Sequence, residues 1–138
     1  MGGCTLVQTS AQYDLAGDLT ELTYPDGRAV AAQYDGAANL TQVQFASMNG
    51  TQVGYNYFSG ATYGAAGQLG SFGLGNGAAE AFTYTNRLQL ATHTLTMNGN
   101  TILNYAYSFN DTSGHDNGNV MGITDNVTPG LSWTYSYL

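Results

Sequence analysis

"YDLAGDLTELTYPDGRAVAAQYDGAANLT", residues 13–41, begins to repeat before it ends. Tyr13-Asp14 is followed by Leu19-Thr20, and Tyr34-Asp35 is followed at the same distance by Leu40-Thr41. Internal periods decide the architecture of a chain, because a repeat completes its packing only against its neighbours. The period continues past the quoted stretch. Tyr13 to Tyr34 and Tyr34 to Tyr55 are 21 residues each. After the irregular stretch NYFSGAT, Tyr63 to Tyr84 and Tyr84 to Tyr105 are 21 again. Leu19, Leu40, Leu69 and Leu90 each follow a repeat tyrosine by six residues.

Fourteen to sixteen residues after the same four tyrosines come Gly27, Gly50, Gly77 and Gly99, preceded by Asp26, Asn49, Asn76 and Asn98. Asp-Gly and Asn-Gly supply the positive φ angles of two-residue hairpin turns when alternating apolar residues flank them. Val43 and Phe45 lead into one turn, and Val53, Tyr55 and Tyr57 lead out. Leu95 and Met97 lead into another, with Leu103, Tyr105 and Tyr107 after it. Residues two apart share a strand face. Each 21-residue unit therefore reads as one hairpin with an apolar, aromatic face. Glycines number 19, which opposes helices. The expected fold is all-β: antiparallel hairpins forming one extended, twisted, solenoid-like sheet of about ten strands. Residues 1–12 are expected as a lead-in and 13–138 as the repeat sheet, with irregular connections near 56–62 and 110–118.

At 138 residues the chain is sized for one domain with a core. Charged residues are only 8% of it, and Arg28 and Arg87 are the sole cations against a net charge of -7. Nothing is left to neutralise phosphates, so nucleic acid and anionic membranes are excluded as partners. No apolar run reaches the length of a membrane span, so no membrane insertion is expected. The start, MGGCTLVQTS, has no basic n-region or apolar h-region and reads as the cut end of a longer chain. Leu6 stands where myristoylation requires Ser or Thr.

The pieces YDLAGDLTELTYPDGR, YDGAANLTQVQF, YGAAGQLGSFGLGNG, YTNRLQLATHTLTMNGNTILNYAYSF and NGNVMGITDN resemble the YD-repeat, or RHS (rearrangement hot spot), family across residues 13 to about 137. Only Tyr13 and Tyr34 carry the literal Tyr-Asp pair. The resemblance implies hairpins coiled into a long β-sheet spiral, as in bacterial toxins and animal teneurins. There the spiral often forms a hollow shell around a toxin domain, and the family is often described as carbohydrate-associated. The family's closing plug, DPxGxxxGxNxYxY with its self-cleaving aspartates, has no counterpart in this sequence, so shell wall alone is implied. An extracellular or cell-surface setting in a bacterium follows from the same resemblance.

The residues give no catalytic constellation. His93 lies in the strand-like LQLATHTLTM, where a surface imidazole is the plain reading. His115 lies in DTSGHDNGNV near Asp111, Asp116, Asn117 and Asn119. Ca²⁺ favours such oxygens, but EF-hand spacing and a bidentate glutamate are missing, and Asx and Gly also build turns by themselves. No metal or cofactor is assigned. Cys4 has no recognisable partner, and no carboxylate pair stands out as acid and base. The Asn-x-Thr sequons at Asn39, Asn49, Asn110 and Asn126 matter only on a eukaryotic secretory route.

The repeat tyrosines Tyr13, Tyr34, Tyr55, Tyr63, Tyr84 and Tyr105 are expected to stack above one another as a cross-strand ladder. At the C-terminus, LSWTYSYL alternates Ser132, Thr134 and Ser136 with Trp133, Tyr135 and Tyr137, as an uncapped paired strand would. The expected function is a non-enzymatic scaffold acting by sheet continuation, with Trp133, Tyr135 and Tyr137 as assembly surface. Its partners are then copies of itself or adjoining repeats, in a filament or a shell wall. The alternative is a carbohydrate-binding cell-surface module that stacks glycans on an aromatic face.

Overall fold

A computed structural model describes residues 7–137. Cys4 and Leu6 lie outside the described residues. Eleven strands follow one another: β1 (Ser10–Tyr13), β2 (Leu19–Thr23), β3 (Arg28–Tyr34), β4 (Leu40–Met48), β5 (Thr51–Tyr63), β6 (Leu69–Leu74), β7 (Ala78–Tyr84), β8 (Leu90–Met97), β9 (Asn100–Ser108), β10 (Gly122–Asp125) and β11 (Trp133–Thr134). A 3-10 turn, Pro129–Leu131, stands before β11. Strand order in the sheet is chain order. No helix among the described residues is long and apolar enough to cross a membrane.

By contacts the described chain divides into two compact units, one running to Ala61 and taking in Leu74–Asn76, the other Thr62–Gly73 with the chain from Gly77 on. A sheet strand touches mainly the strands beside it, so contacts stay local and the chain divides readily. In the first unit, β2 pairs with β3 through Leu22↔Val30, and β3 with β4 through Val30↔Phe45 and Ala32↔Val43. Phe45 then lies opposite Tyr55 of β5. These alternate positions give one apolar face. In the second unit, Phe72, Glu80 and Leu95 are successive cross-strand neighbours, and so are Phe82, His93 and Tyr105. The opposite face there carries Thr83 and Thr92, whose hydroxyls meet at 2.6 Å.

The expected core is not formed in the usual sense. Among the described residues the buried apolar side chains are Ala29 and Ala78, each 5% exposed. Among the described residues no helix or second sheet covers the apolar positions, so the large side chains remain half-buried or exposed.

The stretch 56–62, expected as an irregular connection, is strand: β5 runs unbroken for 13 residues. Its pairing with β4 shifts register between Val43 and Gln44 and again between Phe45 and Ser47. Gly54 and Gly60 adopt φ of 72° and 65°. Bulges absorb the surplus residues and bend the strand while it stays in the ladder.

Candidate functional site

Two kinds of turn close the hairpins, and they lie at opposite ends of the strands. The sequence reading found only one kind. The other explains the aspartate of the Tyr-Asp pair. The Asp14 carboxylate accepts the N–H groups of Ala16 and Asp18 at 2.9 and 3.0 Å. Asp35 accepts those of Ala37 and Asn39 at 2.8 and 3.0 Å. Thr85 repeats the pattern through its hydroxyl, to Arg87 and Gln89, and Asp111 repeats it to Ser113 and His115. In each turn the backbone N–H three residues on returns to the first carbonyl: Gly17 to Asp14, Ala38 to Asp35, Gly67 to Gly64, Leu88 to Thr85 and Gly114 to Asp111. That third residue has positive φ in every case, including Ala38 at 61° and Leu88 at 62°. In four of these five turns the first residue's short side-chain oxygen supports the geometry, and at Gly64 the Gln68 Oε1 accepts the Ala66 N–H instead. The signal was present in the sequence as a residue of small or turn-forming type just after each tyrosine.

The turn at Asp111 lies inside 110–118. Asn110 bridges Asp116 just as Tyr34 pairs with Leu40 and Tyr84 with Leu90, six residues apart each time. This connection is a repeat turn with Asn110 in the tyrosine position and Asp116 in the leucine position. The exchanged aspartate is served by polar partners. Arg87 Nη1 stands 3.1 Å from its carboxylate, and Gln89 Nε2 donates to it at 3.0 Å. The side-chain amide of Gln89, then the Gly118 N–H and Arg87, hold its carboxyl below the usual carboxylate range. Asp111 is likewise held low, chiefly by the His115 backbone N–H. The carboxylates that suggested a cation are engaged in turn bonds, and no cluster of metal-ligating side chains occurs among the described residues.

The repeat tyrosines divide by position. Tyr13, Tyr34, Tyr63 and Tyr84 end strands directly before the Asx-type turns, whereas Tyr55 and Tyr105 sit within β5 and β9. Tyr34 and Tyr84 have polar partners across the sheet. Their hydroxyls donate to the carbonyls of Leu19 at 3.1 Å and Leu69 at 2.9 Å, 15 residues earlier. Each ring crosses the neighbouring strand to reach the first peptide group of that strand. This requires a phenol and explains Tyr in place of Phe. Ring pairs form elsewhere: Phe45 with Tyr57 at 6.4 Å, Tyr55 with Tyr57 at 5.5 Å, and Tyr105 edge-on to Trp133 at 5.9 Å.

At the other end, Gly27, Gly50, Gly77 and Gly99 have φ of 83°, 79°, 87° and 81°. Asn49-Gly50 and Asn98-Gly99 form two-residue turns with positive φ at both positions. Asp26-Gly27 is displaced from the expected centre. Pro25 and Asp26 take the turn and Gly27 follows it, its N–H bonded to the Tyr24 carbonyl at 2.9 Å. Proline fixes φ near −65°, which suits the first turn position of an ordinary turn and forbids the positive φ of a primed one. Adjacent tips also touch. Asn49 N–H donates to Gly27 at 2.8 Å and Asn98 N–H to Gly77 at 3.3 Å. A Cβ on Gly27 would run into the Asn49 side chain.

His93 Nε2 meets Glu80 Oε2 at 2.8 Å, both half-buried, and its ring stacks on Phe82 at 4.7 Å. No nucleophile or second acid joins this pair among the hydrogen bonds it makes. Arg28 lies over the Tyr24 ring at 4.5 Å, so both cations of the chain are taken up internally.

The C-terminal strand is shorter than expected. The 3-10 turn occupies Pro129–Leu131, and β11 is Trp133–Thr134, paired as Ile123↔Trp133 and Gly122↔Thr134. Buried Asp125 organises this corner, accepting the N–H groups of Val127 and Thr128 at 2.9 and 2.8 Å. Tyr135 N–H returns to Met121 at 2.9 Å, and the Tyr137 hydroxyl to Val120 at 2.8 Å. Trp133, Tyr135 and Tyr137 remain 44%, 42% and 54% exposed.

Hairpins turned at one end by Asx-type motifs and at the other by turns built around Asx-Gly, with a tyrosine hydroxyl seated on the neighbouring strand at Tyr34 and again at Tyr84, define a β-hairpin repeat protein. Residues 13–47 match the RHS Repeat family. No curated protein sequence matches the chain significantly. Among solved structures, the chain resembles the crystal structure of TcdB2-TccC3 without its hypervariable C-terminal region, with TM-score 0.74 and 22% identity over 87% of this chain. It resembles TcdB2-TccC3-Cdc42 with TM-score 0.72 and 23% identity over 87%. It resembles the Photorhabdus luminescens Tc holotoxin pore with TM-score 0.69 and 23% identity over 86%. At such identity the likeness is one of fold. The chain spans only 5 to 6% of the length of those chains.

Proposed function

We propose that this chain is a non-catalytic structural segment, an RHS-type stretch of wall that works by continuing its β-sheet into neighbouring strands. The observation that carries this reading is the match in fold to a small fraction of very long chains, together with the state of the two terminal strands. Among the described residues β1 and β11 each have a neighbouring strand on one side. Natural edge strands are usually guarded by lysine, proline or bulges. The chain has no lysine, Pro25 and Pro129 stand outside β1 and β11, and the one register shift at an edge falls at the last step of β1, between Gln12 and Tyr13. The Tc holotoxin pore among the similar structures supports a secreted or surface setting in a bacterium for the protein to which this segment corresponds.

The C-terminal edge, with Trp133, Tyr135 and Tyr137, is the assembly surface in this reading. Tyr135 N–H points inward to Met121, so alternation along the strand directs Thr134 N–H away from β10. The net charge of -7 opposes contact, but charges more than about 8 Å apart are largely screened at physiological salt. Sedimentation velocity should find species that lengthen with concentration. Thr134→Pro removes an outward donor without touching the ladder to β10, so it should return the chain to monomers with an unchanged β signature in circular dichroism. A native chain that stays monomeric at high concentration removes self-assembly from the reading.

A further inference from the structure

The first hairpin repeats the pairing of the second. Residues 11–14 and 32–35 are both Ala-Gln-Tyr-Asp. Both segments end a strand, enter the same carboxylate-built turn and pair with the leucine six residues on, Tyr13↔Leu19 and Tyr34↔Leu40. Both ladders shift register at the same step, between Gln12 and Tyr13 and between Gln33 and Tyr34. β1 therefore copies β3 on its inner side. The outer sides differ. β3 is flanked by β2 through Glu21↔Ala31, Leu22↔Val30 and Thr23↔Ala29, and the Tyr34 hydroxyl is seated on the Leu19 carbonyl. β7 is flanked by β6 in the same way, with Tyr84 on Leu69. β1 has no such neighbour among the described residues, its four residues are exposed, and Tyr13 is 63% exposed.

We propose that the outer edge of β1 takes a strand of the β2 and β6 type, seated so that the Tyr13 hydroxyl donates to the carbonyl of the leucine that opens it. This rests on the sheet-continuation reading and narrows it to one kind of strand and one register. With the 21-residue offset between the two tyrosines, Gln8, Thr9 and Ser10 take the places of Ala29, Val30 and Ala31. The incoming strand runs antiparallel over these three residues and reaches Tyr13 with its first residue. A second folded copy has no such strand to offer, because β2 and β6 each lie between two neighbours in the strand order. The occupant is the corresponding strand of a further repeat. The edge itself, Ser10–Tyr13, bears no charge to repel it.

The test titrates the full chain with a synthetic peptide of residues 67–77, GQLGSFGLGNG, which carries the opening leucine and no charged side chain. Backbone amide shifts are followed by NMR. Saturable shifts confined to residues 8–13 are expected, with binding about fivefold weaker in Tyr13→Phe, the effect of one hydrogen bond of about 1 kcal/mol. A scrambled peptide and a peptide of residues 88–98 should not reproduce them. Binding indifferent to Tyr13→Phe, binding matched by either control, or shifts centred on 29–34 through displacement of β2 would each overturn the proposal. Persistent self-association of the chain alongside failed peptide binding would sink this inference and leave sheet continuation through the other edge standing.

Discussion

The tyrosine hydroxyl is the most direct place to measure what the repeat contributes. Tyr84 is half-buried, and its hydroxyl donates to Leu69 at 2.9 Å. Tyr84→Phe keeps the ring and deletes the donor, leaving the Leu69 carbonyl without this partner. A hydrogen bond of this kind contributes about 0.5–1.5 kcal/mol net, and an abandoned, partly buried acceptor pushes the cost toward the upper end. For a chain of this length that is a fall of about 3–5 °C in Tm per kcal/mol. Tyr34→Phe should cost the same within error, because its hydroxyl reaches Leu19 at 3.1 Å in the equivalent place. The two lie in separate compact units and share no partner, so the double variant should be additive. Tyr13→Phe is the control: the same residue in the same turn, with an exposed ring, and a change within about 0.5 kcal/mol. The assay is urea unfolding followed by circular dichroism, with the m-value checked for constancy across variants. If all three variants unfold at one midpoint, the ring alone explains the tyrosine and the carbonyl contact contributes nothing.

Two more outcomes follow from the turns. Leu88 holds φ of 62° with its side chain largely in solvent, a conformation that costs an L-residue about 1–2 kcal/mol. Glycine removes that strain and adds about 0.5–1 kcal/mol of unfolded-state entropy, so Leu88→Gly should raise the urea midpoint; a lowered midpoint would mean Leu88 packs. Asp35, held below the usual carboxylate range first by the Asn39 side-chain amide and then by the Asn39 and Ala37 N–H groups, carries a folded pKa beneath its unfolded one. Its stabilisation, like that of Asp111 and Asp116, is present above the unfolded value of about 3.9 and is lost as pH falls through the lower folded values. Thermal melts should be flat near neutrality and drop below about pH 4, with a shallower acid limb in Asp35→Asn; an unchanged limb would count against the turn bonds.

The all-β class, the 21-residue hairpin and the Asx-Gly tips were legible because each depends on residues close together in the chain. Alternation places Val43 and Phe45 on one face whatever surrounds them, and Asn49-Gly50 dictates its own dihedral angles. The Tyr-Asp pair was legible as a period and opaque as chemistry. Asp14 and Asp35 act on N–H groups two and four residues on, a local rule that Thr85 meets with a hydroxyl, whereas at Gly64 the Gln68 side chain takes the Ala66 N–H. Tyr34 and Tyr84 act across a strand, on a carbonyl 15 residues away, and only a register of paired strands brings the two groups together. The stretch 56–62 read as irregular because β5 shifts register against β4 next to Phe58, which breaks alternation while the strand runs on. The region around Asp116 read as a loop because a polar residue had replaced the leucine, and Arg87 and Gln89, distant in sequence, supply what it needs. Sequence by itself determined the unit, since hairpin formation is governed by turn dihedrals and side-chain alternation. Tertiary structure alone decided which peptide group each tyrosine hydroxyl meets and where the ladders shift register, because both depend on which strands become neighbours.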